Sequence, residues 1–338
     1  MSAGDSRGCR IERNADPEQV RKLLAGDGVS GAVPSGGEQW IAWRGAVAVA
    51  GLVAFNARDL VSSPATALVG RYAATDRDAG SALLRAAATA LTAAGASRVL
   101  GPIDGSTWGR YRLALPTEDT TQVPEPPFLG EPTNPSEYVE DFARSGFVPI
   151  AWYESSLLAP LTTADPRAAS AASAVGDAGI TIAPLSLDGF DAALDGLHRL
   201  SLDAFTLNPF YSPIGAADFR ALYEPVRTLI NPDLVLLARD RAQEIVGVAF
   251  AIPDVVGARS GRPGRVVLKT LAVTPALRRL GLGALLTDGI RARALALGFG
   301  AVIHALMHVD NASRRISERT ATTMRRYALF EWSGSGGE

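Results

Sequence analysis

The chain has 338 residues, enough for two domains of ordinary size, and 47% of them are hydrophobic, as in globular proteins. Its 33 basic and 35 acidic residues nearly balance, which disfavours a protein that binds nucleic acid or anionic membranes through a basic surface. Cys9 is the only cysteine, which excludes an internal disulfide, and no apolar signal segment or membrane-spanning run is present, so we expect a cytoplasmic protein.

The first half of the chain has the pattern of a small α+β unit. The turn Arg44-Gly45 lies between two apolar runs and indicates a hairpin. In chain order the pattern predicts hairpin strands at 40–43 and 47–55, a strand at 67–73, a helix around 84–91 and a strand from 99.

Residues 159–178 are rich in Ala, Ser, Thr and Pro, and between Leu161 and Val175 they contain no large apolar residue. Such a composition buries little surface, so it predicts a flexible linker. We therefore expect a first lobe at 1–158, a second lobe at 179–332 and a flexible tail at 333–338.

The second half repeats the order of elements, which indicates an internal duplication. The predicted elements are a strand at 180–182, helices at 187–205 and 217–229, strands at 234–238, 245–250 and 266–273, a helix from 282, and strands at 301–309 and 327–332. Asn311 is placed to cap a short helix. The sequence thus predicts an α+β fold of two tandem lobes, each a mixed, mostly antiparallel sheet flanked by helices.

The most informative segment is a strand, a turn with proline and two arginines, and a G-x-G that opens a helix. A helix N-terminus leaves backbone N–H groups unpaired, and Gly281 and Gly283 carry no Cβ, so a pyrophosphate could approach these donors. Arg278 and Arg279 would add positive charge. The dinucleotide fingerprint and the Walker loop do not fit, because the third glycine and the Gly-Lys pair are missing. A plain strand-to-helix turn is the alternative.

The spacing V-x-P-x-x-R-x-x-G-x-G resembles the acyl-CoA pyrophosphate loop of the GNAT superfamily of N-acyltransferases, and it is carried by Val273, Pro275, Arg278, Gly281 and Gly283. The resemblance implies an enzyme that moves an acyl group from acetyl-CoA or another acyl-CoA to an amine, with no metal. The duplication resembles tandem GNAT proteins. By position in that family the implied cofactor contacts are Leu271, Ala272, Val273, Arg278, Arg279, Leu280, Gly281, Leu282, Gly283, Ala284 and Asn311.

The first lobe departs from this loop at its decisive positions. The residues that correspond to Arg278, Gly281 and Gly283 are Asp76, Ala79 and Ser81. A carboxylate repels a pyrophosphate and Cβ atoms obstruct its approach, so we expect a degenerate lobe that is structural or binds the acceptor. The segment 101–112 would then be a packed loop between the lobes, or an acceptor-binding loop.

The resemblance also implies that the amine attacks the thioester directly, so groups must handle its proton and the departing thiolate. His304 and His308 lie four apart in one predicted strand, which places both on one face, and His308 is the candidate base. The tyrosine acid that the family often places after the asparagine is missing from 311–319, and Tyr327 is the nearest replacement. A structural histidine remains the alternative, and a zinc site is discounted because His198 is the only other histidine.

Lys269 is one of only two lysines beside 31 arginines, and it precedes Leu271 in the predicted strand. It could hold a substrate carboxylate or the thioester oxygen, or it could be a lysine at the rim of the sheet.

The acceptor is expected to be a small-molecule amine, met by Tyr211 and Tyr223 near the aromatic connector 205–213. No nucleic-acid or membrane partner is expected. Two alternatives remain open: an acyl carrier protein as the donor, and a non-catalytic acyl-CoA-binding protein.

Overall fold

The computed structural model describes residues 8–26, 37–56, 65–117, 125–206, 208–258 and 263–334. The first part of the chain forms β1 (Arg10–Arg13), α1 (Pro17–Gly26), β2 (Glu38–Arg44), β3 (Val47–Asn56), β4 (Thr66–Ala74), α2 (Arg77–Ala93), β5 (Arg98–Gly101), β6 (Leu113–Ala114), α3 (Glu137–Arg144) and β7 (Phe147–Leu158). The rest forms α4 (Pro166–Asp177), β8 (Thr181–Pro184), α5 (Phe190–Ala204), α6 (Ala216–Tyr223), β9 (Val235–Arg239), β10 (Ile245–Pro253), β11 (Arg265–Val273), α7 (Leu282–Ala296), β12 (Ala301–His308), α8 (Ala312–Ser317) and β13 (Thr322–Trp332). Three 3₁₀ segments lie at Glu224–Leu229, Pro232–Leu234 and Pro275–Leu280.

All the strands join one 13-stranded sheet, in the order β1-β2-β3-β4-β5-β13-β7-β12-β11-β10-β9-β8, with β6 paired to β13. The pairs β4–β5 and β11–β12 are parallel and the others are antiparallel. Helices cover the sheet, and apolar clusters lie between helices and sheet in both lobes. The predicted fold class is therefore confirmed, although the two lobes share a single sheet.

The last strands of the two lobes are exchanged. β7, which ends the first half of the chain, pairs with β12 of the second lobe. β13, which ends the second half, pairs with β5 of the first lobe. β7 and β13 also pair with each other, from Thr322↔Leu157 to Trp332↔Phe147. A division of the chain at residue 158 therefore does not separate two complete sheets.

The prediction of a flexible linker is wrong for residues 166–177, which form α4. Asp165 caps this helix by accepting a hydrogen bond from the Arg167 N–H at 2.9 Å, and Pro166 starts it. Its small side chains let it pack closely against α7, with Ala168, Ala171 and Val175 buried. A segment poor in large apolar residues can therefore still bury surface, because alanines allow a neighbouring helix to approach closely.

Two further expectations concern the tail and the membrane. Of the tail at 333–338, only residues 333–334 lie in the described part, and the Ser333 N–H donates to Gly146 O at 3.0 Å. No helix in the described ranges is both long and apolar enough to cross a bilayer.

Candidate functional site

The site begins where the two parallel strands of the second lobe separate. β11 and β12 pair from Arg265↔Ala301 to Leu268↔His304 and then diverge, and we call this separation the fork. A cleft of about 900 Å³ opens there. It passes between the lobes, and it is lined by the ends of β11 and β12, by α7 and α8, and by residues 107–112 and 127–133 of the first lobe. The cleft therefore belongs to both halves of the chain.

A β-bulge in β12 changes the predicted arrangement of the two histidines. His304 faces Ser156 of β7 and His308 faces Tyr153, so four residues of β12 span three of β7. Leu306, within the bulge, has φ of +55°. Because the extra residue reverses the alternation of side chains, His304 and His308 lie on opposite faces, and the prediction of a shared face is wrong. Both histidines still border the cleft, because the separation of β11 and β12 makes the cleft accessible from either face of the sheet.

His304 is deeply buried. Its Nδ1 lies 2.8 Å from Ser317 Oγ, and its Nε2 is buried without a hydrogen-bond partner among the described residues. Burial lowers its pKa to about 4, so the ring is neutral at physiological pH.

His308 is buried at the end of β12, and its ring meets the Tyr153 ring edge-on with centroids 5.0 Å apart. Its Nδ1 accepts a hydrogen bond from the Asp310 N–H at 3.2 Å, so the neutral ring carries its proton on Nε2. Burial lowers the pKa of His308, with a smaller opposite effect from Asp310. The structure thus favours a hydrogen-bond donor at this position over the predicted base.

The helix α7 begins at the fork and leaves its first turn open. The 3₁₀ segment Pro275–Leu280 leads to Gly281, and no side chain in the described structure caps α7. Leu282 and Ala284 are buried in the core, so only their backbone N–H groups could contact a ligand. The predicted helix start with an uncapped first turn is therefore present, and anion binding there stays a prediction.

The two glycines of the loop also have packing roles. Gly281 has φ of +77°, which a residue with a Cβ adopts only with strain, and a Cβ there would lie 2.7 Å from Ala171 Cβ of α4. A Cβ on Gly283 would lie 3.1 Å from Ile316 Cδ1 of α8. These contacts make glycine necessary at 281 whether or not a ligand binds.

The two arginines of the loop differ. Arg278 Nη2 donates to Ala204 O at the end of α5 at 2.8 Å, which anchors the loop. Arg279 is exposed, and no described residue forms a hydrogen bond or ion pair with its side chain. Leu280 is half-buried at the end of the 3₁₀ segment. Arg279 is thus the freer positive charge near the turn.

At the fork, Leu271 lines the cleft, whereas Ala272 and Val273 are buried and can offer only backbone groups. Asn311 lies at the start of α8, borders the cleft, and makes no capping hydrogen bond with its side chain. Arg314 of α8 is ion-paired with the buried Glu154 of β7 at 3.0 Å, which fixes the position of Asn311. The structure thus brings the predicted cofactor residues together around the fork.

Lys269 lines the cleft on the other side of the fork. Its Nζ has one described partner, Leu129 O at 3.5 Å. Burial, together with a smaller effect of nearby Arg112, lowers the pKa of Lys269 to about 8, and Glu131 partly opposes this. Lys269 is therefore a largely buried amine without a paired carboxylate in the described structure.

Arg112 is a cleft residue that the sequence analysis did not single out as charged. Its guanidinium is buried, donates to Leu306 O of the β12 bulge at 3.1 Å, and lies over the Tyr111 and Tyr153 rings at 3.7 and 4.2 Å. It forms no ion pair with any described residue. No sequence signal separates it from the other arginines, because its location depends on how the lobes meet.

The prediction of Tyr327 as an acid is not supported. Its side chain is fully buried and does not line the cleft. Its hydroxyl donates to Glu131 and lies 3.1 Å from Ser155 Oγ, and burial raises its pKa. Glu131 is also ion-paired with Arg325 at 2.5 Å. Tyr327 therefore fixes the 127–133 loop against β13, because strand exchange places its ring in the core.

The two predicted substrate residues do reach the cleft. Tyr211 is buried and packs against Trp108 of the first lobe, whose Nε1 donates to Ser212 O at 2.7 Å. Tyr223 packs edge-on against Phe250, and its hydroxyl has no described partner. Burial raises the pKa of Tyr223 to about 12, so it remains protonated. The segment 101–112 is thus both a packed interface and part of the cleft wall.

The corresponding fork of the first lobe is closed by the chain itself. The Ile103 N–H donates to Val69 O at 2.9 Å, and Asp104 accepts from the Arg71 N–H at 2.7 Å. At the helix start, Asp76 accepts from the Ala79 N–H at 2.9 Å and pairs with Arg44. In the first lobe, the backbone groups at the fork and at the helix start are thus already hydrogen-bonded to other residues of the chain. The corresponding groups of the second lobe are the ones that would contact a cofactor.

Comparisons with known proteins agree with this arrangement. Residues 195–319 match the acetyltransferase (GNAT) family. Comparison with curated protein sequences gave no match.

Three solved structures are similar in fold. One is the GCN5-related glucosamine N-acetyltransferase region of a fungal multi-domain β-N-acetylglucosaminidase (TM-score 0.58, 11% identity), aligned over 96% of this chain and 38% of that one. A GCN5-related N-acetyltransferase from Sphaerobacter thermophilus aligns over 95% of both chains (TM-score 0.50, 14% identity). A tandem GNAT protein of the clavulanic acid biosynthesis pathway aligns over 97% of this chain and all of that one (TM-score 0.51, 14% identity).

This chain therefore spans well under half the length of the first of these proteins. The family match covers most of the lobe that carries the fork, and the similarity of fold covers nearly the whole chain. Residues 195–319 of the second lobe therefore match the GNAT acetyltransferase family, and the chain as a whole shares the fold of a tandem GNAT protein.

Proposed function

We propose that the chain transfers an acyl group, most simply acetyl, from a CoA thioester to the amine of a small molecule by direct attack in the cleft. The observation that supports this most is the fork. Its cleft is large enough for an acyl-pantetheine and a small acceptor, and Leu271 of the cleft lining lies beside Gly283 in the open first turn of α7.

Three features fit an acyl-CoA. The first turn of α7 offers unpaired N–H groups for the pyrophosphate, and Arg279 adds an exposed positive charge beside it. Beyond Leu268 and His304, the facing edges of β11 and β12 do not pair with each other, which leaves room and backbone groups for an extended arm. Asn311 borders the same space, and its side chain makes no capping hydrogen bond in the described structure. When bound, the co-substrate supplies the thioester carbon that the amine attacks.

The acceptor must reach the thioester as a free amine. Among the described residues that line the cleft, Arg110, Arg112 and Lys269 are basic, and the only carboxylate, Glu131, is engaged by Arg325. Positive charge nearby lowers the pKa of a bound ammonium, so the amine releases its proton to water without needing a carboxylate base. The Nε2–H of His308 is the donor we assign to the reacting carbonyl or sulfur.

The first test is titration calorimetry of acetyl-CoA with the full chain. One site per chain is expected, because the fork of the first lobe is closed and Asp76 occupies its helix start. Two equivalent sites would contradict the degeneracy of the first lobe. Absence of binding by acetyl-CoA and longer acyl-CoA would contradict the proposed function.

A pair of variants at one position separates charge from size. Gly283→Ala introduces only a Cβ, which would lie 3.1 Å from Ile316 Cδ1. Gly283→Asp adds a carboxylate where the pyrophosphate should rest, so it should weaken acetyl-CoA binding at least tenfold more than Gly283→Ala, a difference of about 1.4 kcal/mol. Arg279→Glu should also weaken binding, whereas Arg85→Glu on α2 should not. Equal affinities for both Gly283 variants would mean that no phosphate approaches this turn.

The same measurements distinguish the donor. A carrier-borne pantetheine arm has one phosphate and no adenosine, so it would depend less on Arg279. If an acyl carrier protein serves as the donor at a rate that Arg279→Glu does not change, and acyl-CoA gives no transfer, the carrier protein is the donor instead of CoA. Turnover is followed as thiol release, with mass spectrometry of the acylated amines.

A further inference from the structure

The cleft contains two positive charges that lack counter-ions in the described structure. Arg112 comes from the first lobe and is only 7% exposed, and Lys269 comes from β11 of the second lobe. Neither forms an ion pair with a described residue, although ion pairs are common elsewhere in the chain. Burying an unpaired charge is unfavourable, and burying two beside each other is more so.

The two charges are close enough to interact. Positive charge on Arg112 contributes to the lowered pKa of Lys269, so the two groups share one electrostatic environment. The other charged groups that border this part of the cleft are Arg110, which adds positive charge, and Glu131, which is held by Arg325 and Tyr327. The described cleft is therefore short of negative charge on the acceptor side.

The hydrogen bonds that these cations already make indicate which anion would fit. Arg112 uses Nε for Tyr111 O at 3.3 Å and Nη1 for Leu306 O at 3.1 Å, so Nη2 has no hydrogen-bond partner among the described residues. Lys269 has only the long contact with Leu129 O. One guanidinium nitrogen and one ammonium can donate to the two oxygens of a carboxylate.

From this geometry we propose that Arg112 and Lys269, one from each lobe, bind a carboxylate of the acceptor, so that the substrate is an amine that also carries a carboxylate. The inference rests on the proposed function and names its substrate class. Arg112 is held by the bulge of β12 and stacked on Tyr111 and Tyr153, so its position is fixed before a substrate arrives. The degenerate lobe thereby contributes to substrate recognition.

The kinetic test uses two acceptors that differ in one group, β-alanine and β-alaninamide, with saturating acetyl-CoA. The wild type should prefer β-alanine by tenfold or more in kcat/KM. In Lys269→Met and Arg112→Gln this preference should fall to near one, because β-alanine should lose at least tenfold more rate than β-alaninamide in each variant. Lys22→Met is the matched control, because Lys22 is exposed on α1 and is the only other lysine. Equal losses for both acceptors would place Lys269 at the thioester and overturn the proposal.

The binding test does not require turnover. Reductive methylation with ¹³C-formaldehyde keeps the charge of each lysine and labels only Lys22, Lys269 and the N-terminal amine, so NMR can follow each pKa. β-Alanine should raise the pKa of Lys269 by one unit or more, β-alaninamide should not, and Lys22 should be unchanged. If acetyl-CoA binds by calorimetry but no carboxylate changes Lys269, the carboxylate site is refuted and the acyltransferase proposal stands. If acetyl-CoA does not bind, the proposed function itself fails.

Discussion

Replacing Lys269 by methionine should stabilise the protein near neutral pH. Burial lowers the pKa of this amine from 10.5 to about 8, and each pH unit corresponds to 1.36 kcal/mol. The charged lysine therefore reduces the free energy of unfolding by on the order of 3 kcal/mol. Methionine has a similar length and leaves little cavity, and the hydrogen bond that it cannot make, from Nζ to Leu129 O at 3.5 Å, contributes under about 1 kcal/mol. We expect a net gain of about 2 kcal/mol at pH 7.

The gain should depend on pH in a defined direction. Below pH 8 the lysine is protonated in both folded and unfolded chains, so the full penalty applies. Between pH 8 and 10.5 only the unfolded chain keeps the proton, so the wild type becomes more stable as pH rises. The advantage of Lys269→Met should therefore be largest below pH 8 and disappear near 10.5.

Urea unfolding of the wild type and of Lys269→Met, at pH 7 and at pH 10, measures this difference in the free energy of unfolding. The transition to follow is that of the second lobe, which contains Lys269. At a slope of about 2 kcal/mol/M, the midpoint at pH 7 should rise by about 1 M. Lys22→Met should change stability by less than about 0.5 kcal/mol, because Lys22 is exposed. If Lys269→Met is less stable than the wild type, or if its gain in free energy of unfolding is equal at both pH values, then Lys269 is not a buried amine without a counter-ion.

Three further predictions address the proton donor, the thiol and the loop. His308→Ala should lower kcat about tenfold, and by the same factor throughout neutral and mildly alkaline pH, because burial lowers the pKa of the ring and the neutral ring donates through Nε2; a loss that grows as pH falls through this range would restore a base role. Cys9→Ala should retain wild-type turnover, with no acyl adduct by intact mass, because Cys9 is buried in the first-lobe core and is absent from the cleft lining. Gly281→Ala should lower Tm, and Ala171→Gly should restore part of the loss by removing the 2.7 Å clash; unchanged Tm in Gly281→Ala would contradict the packing of α4 on the loop.

Local patterns in the sequence predict many of the elements and the glycine-containing turn that opens α7. The hairpin at 40–55 is found as β2 and β3, and the helix expected from 282 is α7. These elements are predicted from the alternation of apolar and polar residues, from apolar residues at helical spacing and from turn-forming residues. All three signals lie within a few consecutive residues. The open first turn of α7 and the location of Asn311 at the fork follow from the same local order.

The features that the sequence does not predict depend on contacts between distant segments. Strand exchange brings Tyr153 beside His308. The sequence does not predict this contact, because no local pattern indicates which strand β7 pairs with. The bulge at Leu306 shifts the later side chains of β12 to the opposite face of the sheet. Sequence reasoning that assumes side chains alternate regularly along a strand cannot predict this shift. For α4 a local signal exists, because Asp165-Pro166 is a capping residue followed by an N1 proline, but the composition of the segment favours the opposite interpretation.

Strand exchange also explains why a lobe with a closed fork accompanies the lobe with the open fork. β7 of the first half completes the sheet of the second lobe beside β12, and its Glu154 holds Arg314 of α8 next to Asn311. Arg112 fixes the bulge of β12 through Leu306 O, and Trp108 packs into the second lobe beside Tyr211. Removal of the first lobe would therefore expose an edge of the second-lobe sheet and remove one wall of the cleft. The first lobe can lose its own cofactor loop without losing these contacts, because they come from its last strand and from the 101–112 segment.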